Sequence, residues 1–272
     1  MKITIQAPAK INLFLRVLGK REDGYHNIRS GITFINLFDE ISITESNRTL
    51  INYSGNFKPV SGVYKDCIIK RTLEFLNLYE KVNLEINIKK NIPVQAGLGS
   101  ASTNAATLIK GLKILNIIQE INKDYDYSFL SSDIPVFLFG KNYSVVQGMG
   151  QNITNQTSPK YFFLLVKPTI NFSTKRMYEK IGKKLNTKIF NDDNDWGNDF
   201  EKMAIEEYQE IKNMLKFLKN SENCIFSRMS GSGSCCFAAY EKQEYANKAQ
   251  MNLNENFPEL WSFVGENNII NN

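Results

Sequence analysis

Residues 91–112, NIPVQAGLGSASTNAATLIKGL, crowd small side chains ahead of an apolar pattern with helical spacing. A strand that ends in such a loop, which then opens a helix, points several backbone N–H groups at one spot. The helix N-terminus adds roughly half a positive charge there, so an anion such as a phosphate is stabilised. Gly97 and Gly99 permit positive φ and let a phosphate approach the backbone. Ser100, Ser102 and Thr103 add hydroxyls, one of which could hold a metal ion that bridges phosphates. The familiar phosphate signatures are incomplete. No lysine follows the glycines as G-x-x-x-x-G-K-[ST] demands, and Gly97, Gly99 and Ser102 supply only two glycines of G-x-G-x-x-G. The alternative is a plain strand–helix turn with Ser102 or Thr103 as N-cap.

Three other stretches carry groups of the kind phosphoryl chemistry needs. In APAKINLFL, Lys10 lies in an otherwise apolar strand pattern. It either projects to solvent or holds its ammonium near an acid and a phosphate. In SSDIPVFLFG, Asp133 precedes Pro135, which is expected to bias Ile134 towards an extended backbone. That aspartate is either a cap or turn residue, or a partly desolvated general base needing a nearby cation to stay ionised. In SRMSGSGSCCF, Gly231 and Gly233 make either a tight hairpin or a second backbone wall around a phosphate.

Composition narrows the field. The chain has 272 residues, enough for one large domain or two modest ones. Its net charge of +5 arises from 33 basic and 28 acidic residues, paired as in Lys89-Lys90 and Lys183-Lys184 rather than gathered in runs. That is a solvated surface suited to an anionic small substrate, with nucleic-acid binding behind it. Cys67, Cys224, Cys235 and Cys236 include no C-x-x-C pair, and His26 is the single histidine. Zinc ribbons, thioredoxin-like motifs and His-rich metal sites are thereby disfavoured. Cys235-Cys236 lies in an apolar run and is expected to be reduced core packing. No apolar run approaches the roughly 18 residues of a membrane span. The N-terminus is broken by Pro8, Lys10 and Asn12 and resembles no signal peptide, so a cytoplasmic location is expected.

The elements that must position these groups follow from periodicity. Alternation predicts strands over 2–6, 11–18, 31–36, 40–44 and 82–88, with a polar loop at 19–27. Helices are predicted over 66–79, 101–118 and 127–131, and YSVVQGMGQNI reads as strand, glycine turn and return. NQTSPK, near 155–160, is a plausible junction. Beyond it come strands at 161–166, 224–229, 234–240 and 261–265, and helices at 173–184, 199–219 and 242–253. The expected class is α+β, with helices covering mainly antiparallel sheets. The expected domains are 1–155 and 156–272.

Lysine strand, glycine–serine loop opening a helix, isolated aspartate and second glycine loop occur in this order along the whole chain. APAKINLFL, PVQAGLGSASTNAA and SGSGSCCF together resemble the three motifs of the GHMP kinase family. The loop LGKREDGYHNIRS resembles the G-x-R-x-D-G-Y-H loop of the member that acts on a cytidyl diphosphate substrate, and SSDIPVF, GMGQNI and NDFE (198–201) support that match. The resemblance implies a two-domain kinase fold with the ATP and substrate cleft between the domains. It implies transfer of the γ-phosphoryl of ATP, with Mg²⁺, to the 2-hydroxyl of that substrate in isoprenoid precursor synthesis. It implies Lys10 and Asp133 as the catalytic pair. Asp133 would remove the hydroxyl proton, and Lys10 would lower the pKa of both Asp133 and the hydroxyl while offsetting γ-phosphoryl charge. Pro93, Val94, Gln95, Ala96, Gly97, Leu98, Gly99, Ser100, Ala101, Ser102 and Thr103 would wrap the ATP phosphates. Tyr25 and His26 would recognise cytosine by stacking and hydrogen bonding, with Tyr178 as the second stacking ring. Asn12 would lie near the diphosphate or the reacting hydroxyl. The partner implied is the small molecule alone, with no nucleic acid and no membrane, and a monomer or weak homodimer.

Two departures from the family pattern stand out. Ser100 and Ala101 replace glycines, which is expected to restrict positive φ in the loop, and Cys67 stands where an asparagine near adenine is usual. The competing readings are another small-molecule kinase of the family, for homoserine or a sugar, and a non-catalytic RNA-binding module. The DGYH loop argues against the first. The second would need a basic stripe with interleaved aromatics, which the sequence lacks.

Overall fold

The computed structural model describes residues 2–59, 67–184 and 197–267. Packing gathers the chain into two interleaved units, Met1–Ala9 with Leu37–Val94 and Gly99–Gly140, and Lys10–Asn36 with Gln95–Leu98 and Lys141–Asn272. The expected halves 1–155 and 156–272 divide the chain by sequence, whereas this grouping is by contact.

The first unit holds the ends of two long strands, β1 (Lys2–Lys20) and β2 (His26–Glu45), with β3 (Leu50–Ser54) and β4 (Leu84–Lys89). It also holds α1 (Ile68–Phe75), α2 (Ser100–Ile114) and α3 (Ile134–Phe139). β4 runs antiparallel to β2 with Ile41 opposite Ile88 and Ile43 opposite Ile86. The period of two puts these four on one face. They form a buried cluster with Ile69 and Leu73 of α1 and with Leu108 and Leu112 of α2. α2 is buried on nearly every side, which its small Ala105 and Ala106 permit by letting neighbours close in. β3, parallel to β4, is absent from the expected strands. Its inward residues are only half-buried, so the apolar alternation that marks a strand is faint there.

The second unit carries antiparallel pairing of β2 with β5 (Tyr143–Gly148), and of β5 with β6 (Asn152–Gln156). It also carries a four-stranded antiparallel sheet ordered β10-β7-β9-β8. These strands are β7 (Phe162–Lys167), β8 (Phe226–Met229), β9 (Cys236–Tyr240) and β10 (Trp261–Glu266). Helices α4 (Thr174–Lys184), α5 (Asp199–Glu207), α6 (Gln209–Lys219) and α7 (Gln243–Asn256) accompany it. β9 is buried along its whole length, which explains its unbroken apolar reading. Cys235 and Cys236 are free thiols in that core, and burial pushes the Cys235 thiol up to about 12, so both are packing residues.

Four expected elements differ. The two N-terminal strands are one continuous β1, and the strands expected at 31–36 and 40–44 are one continuous β2. The helix expected at 127–131 is a single 3₁₀ turn, Tyr127–Phe129. The long helix expected at 199–219 breaks at Tyr208, whose φ of −127° and ψ of 103° are extended. The Tyr208 ring packs 4.7 Å from that of Phe172, a tertiary contact that helical spacing cannot report. No helix among the described residues is long and apolar enough to cross a membrane.

Ile86 sits at the centre of the first unit's cluster, fully buried. Ile86→Ala should lower the unfolding free energy by about 2–5 kcal/mol, read from a urea titration followed by circular dichroism.

Candidate active site

Lys10 and Asn12 are two apart on β1 and therefore share a face. The flanking Ala9, Ile11 and Leu13 are wholly buried. Lys10 does not project to solvent: it is 4 % exposed, and its Nζ donates to Asn12 Oδ1 at 2.5 Å. Asn12 Nδ2 donates to Ser30 Oγ at 2.8 Å, which fixes the orientation of the asparagine amide. Burying an ammonium is costly unless its donors are met, so this is an unusual place for a lysine with no structural duty.

Both glycine loops close on this pair. The Lys10 N–H donates to Leu98 O at 3.0 Å, and the Cys235 N–H to Ala96 O at 3.2 Å. The Ser230 hydroxyl accepts from the Asn12 N–H at 3.2 Å and donates to Gly97 O at 2.9 Å. A Cβ on Gly97, where φ is +71°, would lie 2.0 Å from Ser230 O, so only glycine fits. A Cβ on Gly231 would lie 3.0 Å from Asn12 Oδ1 and 3.4 Å from Lys10 Nζ. The second glycine loop is thus a wall beside the lysine and not merely a hairpin.

The loop leading into α2 answers the question raised by Ser100 and Ala101. Positive φ is adopted at Gly97, Gly99 and Gln95, and not at those two residues. Ser100 and Ala101 are already the first helical residues of α2, so no glycine freedom is needed there. The N-cap is Gly99 in the left-handed region, with no side-chain cap, and neither Ser102 nor Thr103 takes that place. The first N–H groups of α2 are left without a capping side chain. Ser102 Oγ pairs with Ser131 Oγ at 2.7 Å, while Thr103 Oγ1 is buried with no partner among the described residues.

Sequence reasoning missed what anchors this loop. Lys90 and Asp39 form an ion pair, 3 % and 0 % exposed, at the start of the loop. Lys90 Nζ also donates to Ser100 Oγ, and to Asn104 Oδ1 at 2.7 Å. Asp39 Oδ1 accepts from the N–H groups of Asn91 and Ile92 at 2.7 and 2.8 Å, and Oδ2 accepts from Asn104 Nδ2 at 2.9 Å. Ser100, where glycine was expected, therefore has a structural duty. Burial pushes the Lys90 ammonium below its usual range, and Asp39 acts in the opposite sense. A lysine directly before Asn-Ile-Pro reads as one more surface residue beside Lys89, and only its burial reveals it.

Asp133 is the N-cap of α3, and its side chain does not cap that helix. Pro135 does not hold Ile134 extended as expected. Both lie in the first turn of α3, where the N–H that proline lacks would have had no helical partner.

The DGYH loop is a tight turn. Arg21 pairs with Asp23 at 2.9 Å, Asp23 accepts from the Tyr25 N–H at 3.1 Å, and Gly24 takes φ +85°. The hydrogen bond from Arg21 holds the Asp23 carboxyl below its usual range. The turn leaves Tyr25 49 % exposed and tucks His26 inside. The His26 ring stands 5.2 Å from that of Tyr178, tilted by 34°, and its Nε2 is buried with no partner among the described residues. Burial, and then the charge of Lys20, push the His26 imidazolium pKa below the ordinary 6.5. His26 and Tyr178, 152 positions apart in sequence, are thus brought together.

Two family profiles match the chain, "GHMP kinases N terminal domain" over residues 67–141 and "GHMP kinases C terminal" over 178–259. A curated protein of Francisella philomiragia is 32 % identical over 92 % of this chain and 93 % of its own length. One of Wolbachia sp. subsp. Brugia malayi is 33 % identical over 94 % and 96 %. The chain belongs to the GHMP kinase family, whose members are ATP-dependent small-molecule kinases. Both relatives bear the name 4-diphosphocytidyl-2-C-methyl-D-erythritol kinase. A solved 4-(cytidine 5'-diphospho)-2C-methyl-D-erythritol kinase shares the fold at a TM-score of 0.75 and 23 % identity, covering 97 % of this chain and 99 % of that one. The Methanococcus jannaschii mevalonate kinase shares it at 0.62 and 17 %, covering 100 % and 99 %.

Lys90→Met strands the buried Asp39 carboxylate and should cost about 3–5 kcal/mol of stability. Ser100→Gly leaves Lys90 paired to Asp39 and Asn104, and should cost only about 1 kcal/mol. Parallel urea titrations of the two variants check the contrast.

Proposed function

We propose that the chain phosphorylates the 2-hydroxyl of 4-diphosphocytidyl-2-C-methyl-D-erythritol at the expense of ATP, a step in isoprenoid precursor synthesis by the non-mevalonate route. The observation that carries the choice of substrate is the Tyr25-His26 corner. There a neutral imidazole with an unmet Nε2 lies beside the Tyr178 ring and next in sequence to a half-exposed Tyr25. A cytosine ring supplies both the face for stacking and the edge for that hydrogen bond.

In phosphoryl transfer, positioning and charge stabilisation supply most of the acceleration. Lys10, buried and oriented by Asn12, is the cation for the γ-phosphoryl and the reacting hydroxyl. Its ammonium is already oriented by Asn12 Oδ1, so little reorganisation accompanies the change in charge. Asp133, matched to the family's aspartate, is the general base. The loop Pro93–Thr103 offers the unspent N–H groups at the start of α2 to the ATP phosphates. No group of three or more His, Cys, Asp or Glu that could hold a metal stands among the described residues. A Mg²⁺ entering with ATP would therefore take most of its ligands from phosphate and water, with the orphaned Thr103 hydroxyl as the loop's contribution. It would neutralise charge on the phosphates.

The decisive experiment is phosphate transfer from ATP to the cytidyl substrate, compared with homoserine and mevalonate as acceptors; turnover confined to either of the latter would overturn the reading. Asp133→Asn should lose about 10²- to 10⁴-fold in kcat while still binding ATP. Tyr25→Ala and His26→Ala should act mainly on KM and lose the preference for cytidine over uridine. Because burial and the charge of Lys20 lower the His26 pKa from 6.5, the ring is mainly neutral above that pH. KM for the cytidyl substrate should accordingly be flat from about pH 8 to about 6.5 and rise only at lower pH, as His26 gains a proton. A rise beginning above pH 7 would remove His26 from base recognition.

A further inference from the structure

The motif NDFE, Asn198–Glu201, is not used by the mechanism above, yet each of its four side chains holds a different part of it. The chain arrives through a backbone bond from the Leu15 N–H to Gly197 O at 3.0 Å and a bridge between Leu15 and Asn198. Asn198 Oδ1 caps α5 by accepting from the Phe200 N–H at 2.9 Å. Capping requires nothing more of an asparagine. Its amide nevertheless donates both protons into the second glycine loop, to Met229 O at 2.7 Å and Gly231 O at 2.8 Å. Gly231 is the residue whose absent Cβ leaves room for Asn12 and Lys10. Asp199 accepts from Arg16 Nη1 at 2.9 Å and from the Val17 N–H at 2.8 Å, tying α5 to the strand that carries Lys10. Glu201 accepts from the Met229 N–H at 2.6 Å. Phe200, fully buried, sets its ring edge-on to Tyr178 at 4.7 Å, and Tyr178 in turn faces His26.

We propose that Asn198 and Phe200 are positioning residues with separate duties. Asn198 sets the glycine loop that fixes Lys10 and Asn12, and Phe200 sets the Tyr178–His26 pair that receives the base. The inference rests on the functional reading above. Two neighbours in one turn then govern the two ends of the substrate, the reacting hydroxyl and the cytosine.

The test is the division between kcat and KM in two conservative variants. Asn198→Ser keeps a capping hydroxyl and removes both donated bonds. Its kcat should fall about tenfold or more, with KM for the cytidyl substrate changed by less than about twofold. Phe200→Leu keeps an apolar core residue and removes the ring. Its KM should rise about tenfold with kcat within about twofold, and its dissociation constant for CDP, titrated by calorimetry, should rise in parallel. If Asn198→Ser does not fold, Asn198→Asp retains the capping oxygen and loses the amide, and the same fall in kcat is expected. Purely structural roles would lower the melting temperature and kcat of both variants together and leave KM and CDP affinity alone; that outcome overturns the proposal. A wild-type enzyme inactive on the cytidyl substrate instead overturns the functional reading. In that case unchanged CDP affinity in Phe200→Leu still overturns the proposal, and weakened affinity supports it.

Discussion

The Ser230 hydroxyl, between the Asn12 N–H and the Gly97 carbonyl, is the contact on which the lysine's surroundings depend. It joins three segments that are remote in sequence and closes them to backbone distance. That approach is possible only because Gly97 has no Cβ, since any side chain there would meet Ser230 O. Once the segments are closed, Lys10 is almost wholly buried and its ammonium donates to Asn12 Oδ1. A glycine requirement, a buried cation and a fixed amide are therefore consequences of one close packing.

Among the described residues, buried ion pairs recur elsewhere. Asp39 and Lys90 lie at the start of the loop that opens α2, and Arg16 on β1 pairs with Asp199. Pairs of this kind contribute little net stability, because desolvation offsets their attraction. Their value here is geometric. Asp39 gathers the N–H groups of Asn91 and Ile92 and the amide of Asn104, and so holds the chain where it turns into α2. Asp199 takes both a guanidinium and a backbone N–H from β1. Apolar residues could fill the same volume but could not specify those backbone positions.

Strong periodicity made most elements legible. The alternating run of β4 and the four-stranded sheet follow the expected strands closely, and α2 begins within a residue of its expected start. Elements whose signal is weak or contextual were not legible. β3 is a half-buried parallel strand with little alternation, and the break at Tyr208 comes from ring packing against Phe172. Ile134 followed the same rule. The bias of a residue before proline gave way because the ring sits where a helix has no N–H to lose.

By itself the sequence determined the chemistry on offer: one histidine, a lysine in an apolar strand, two glycine–serine loops, an aspartate two residues before a proline, and the order that marks a GHMP kinase. Those are properties of residue type and local spacing, and local spacing survives in a one-dimensional string. Tertiary structure alone decided that Lys10 is buried, that Lys90 reaches Ser100 from beneath the loop, and that His26 meets Tyr178. Each of these depends on desolvation and on contact between distant segments. No residue carries either in its own identity.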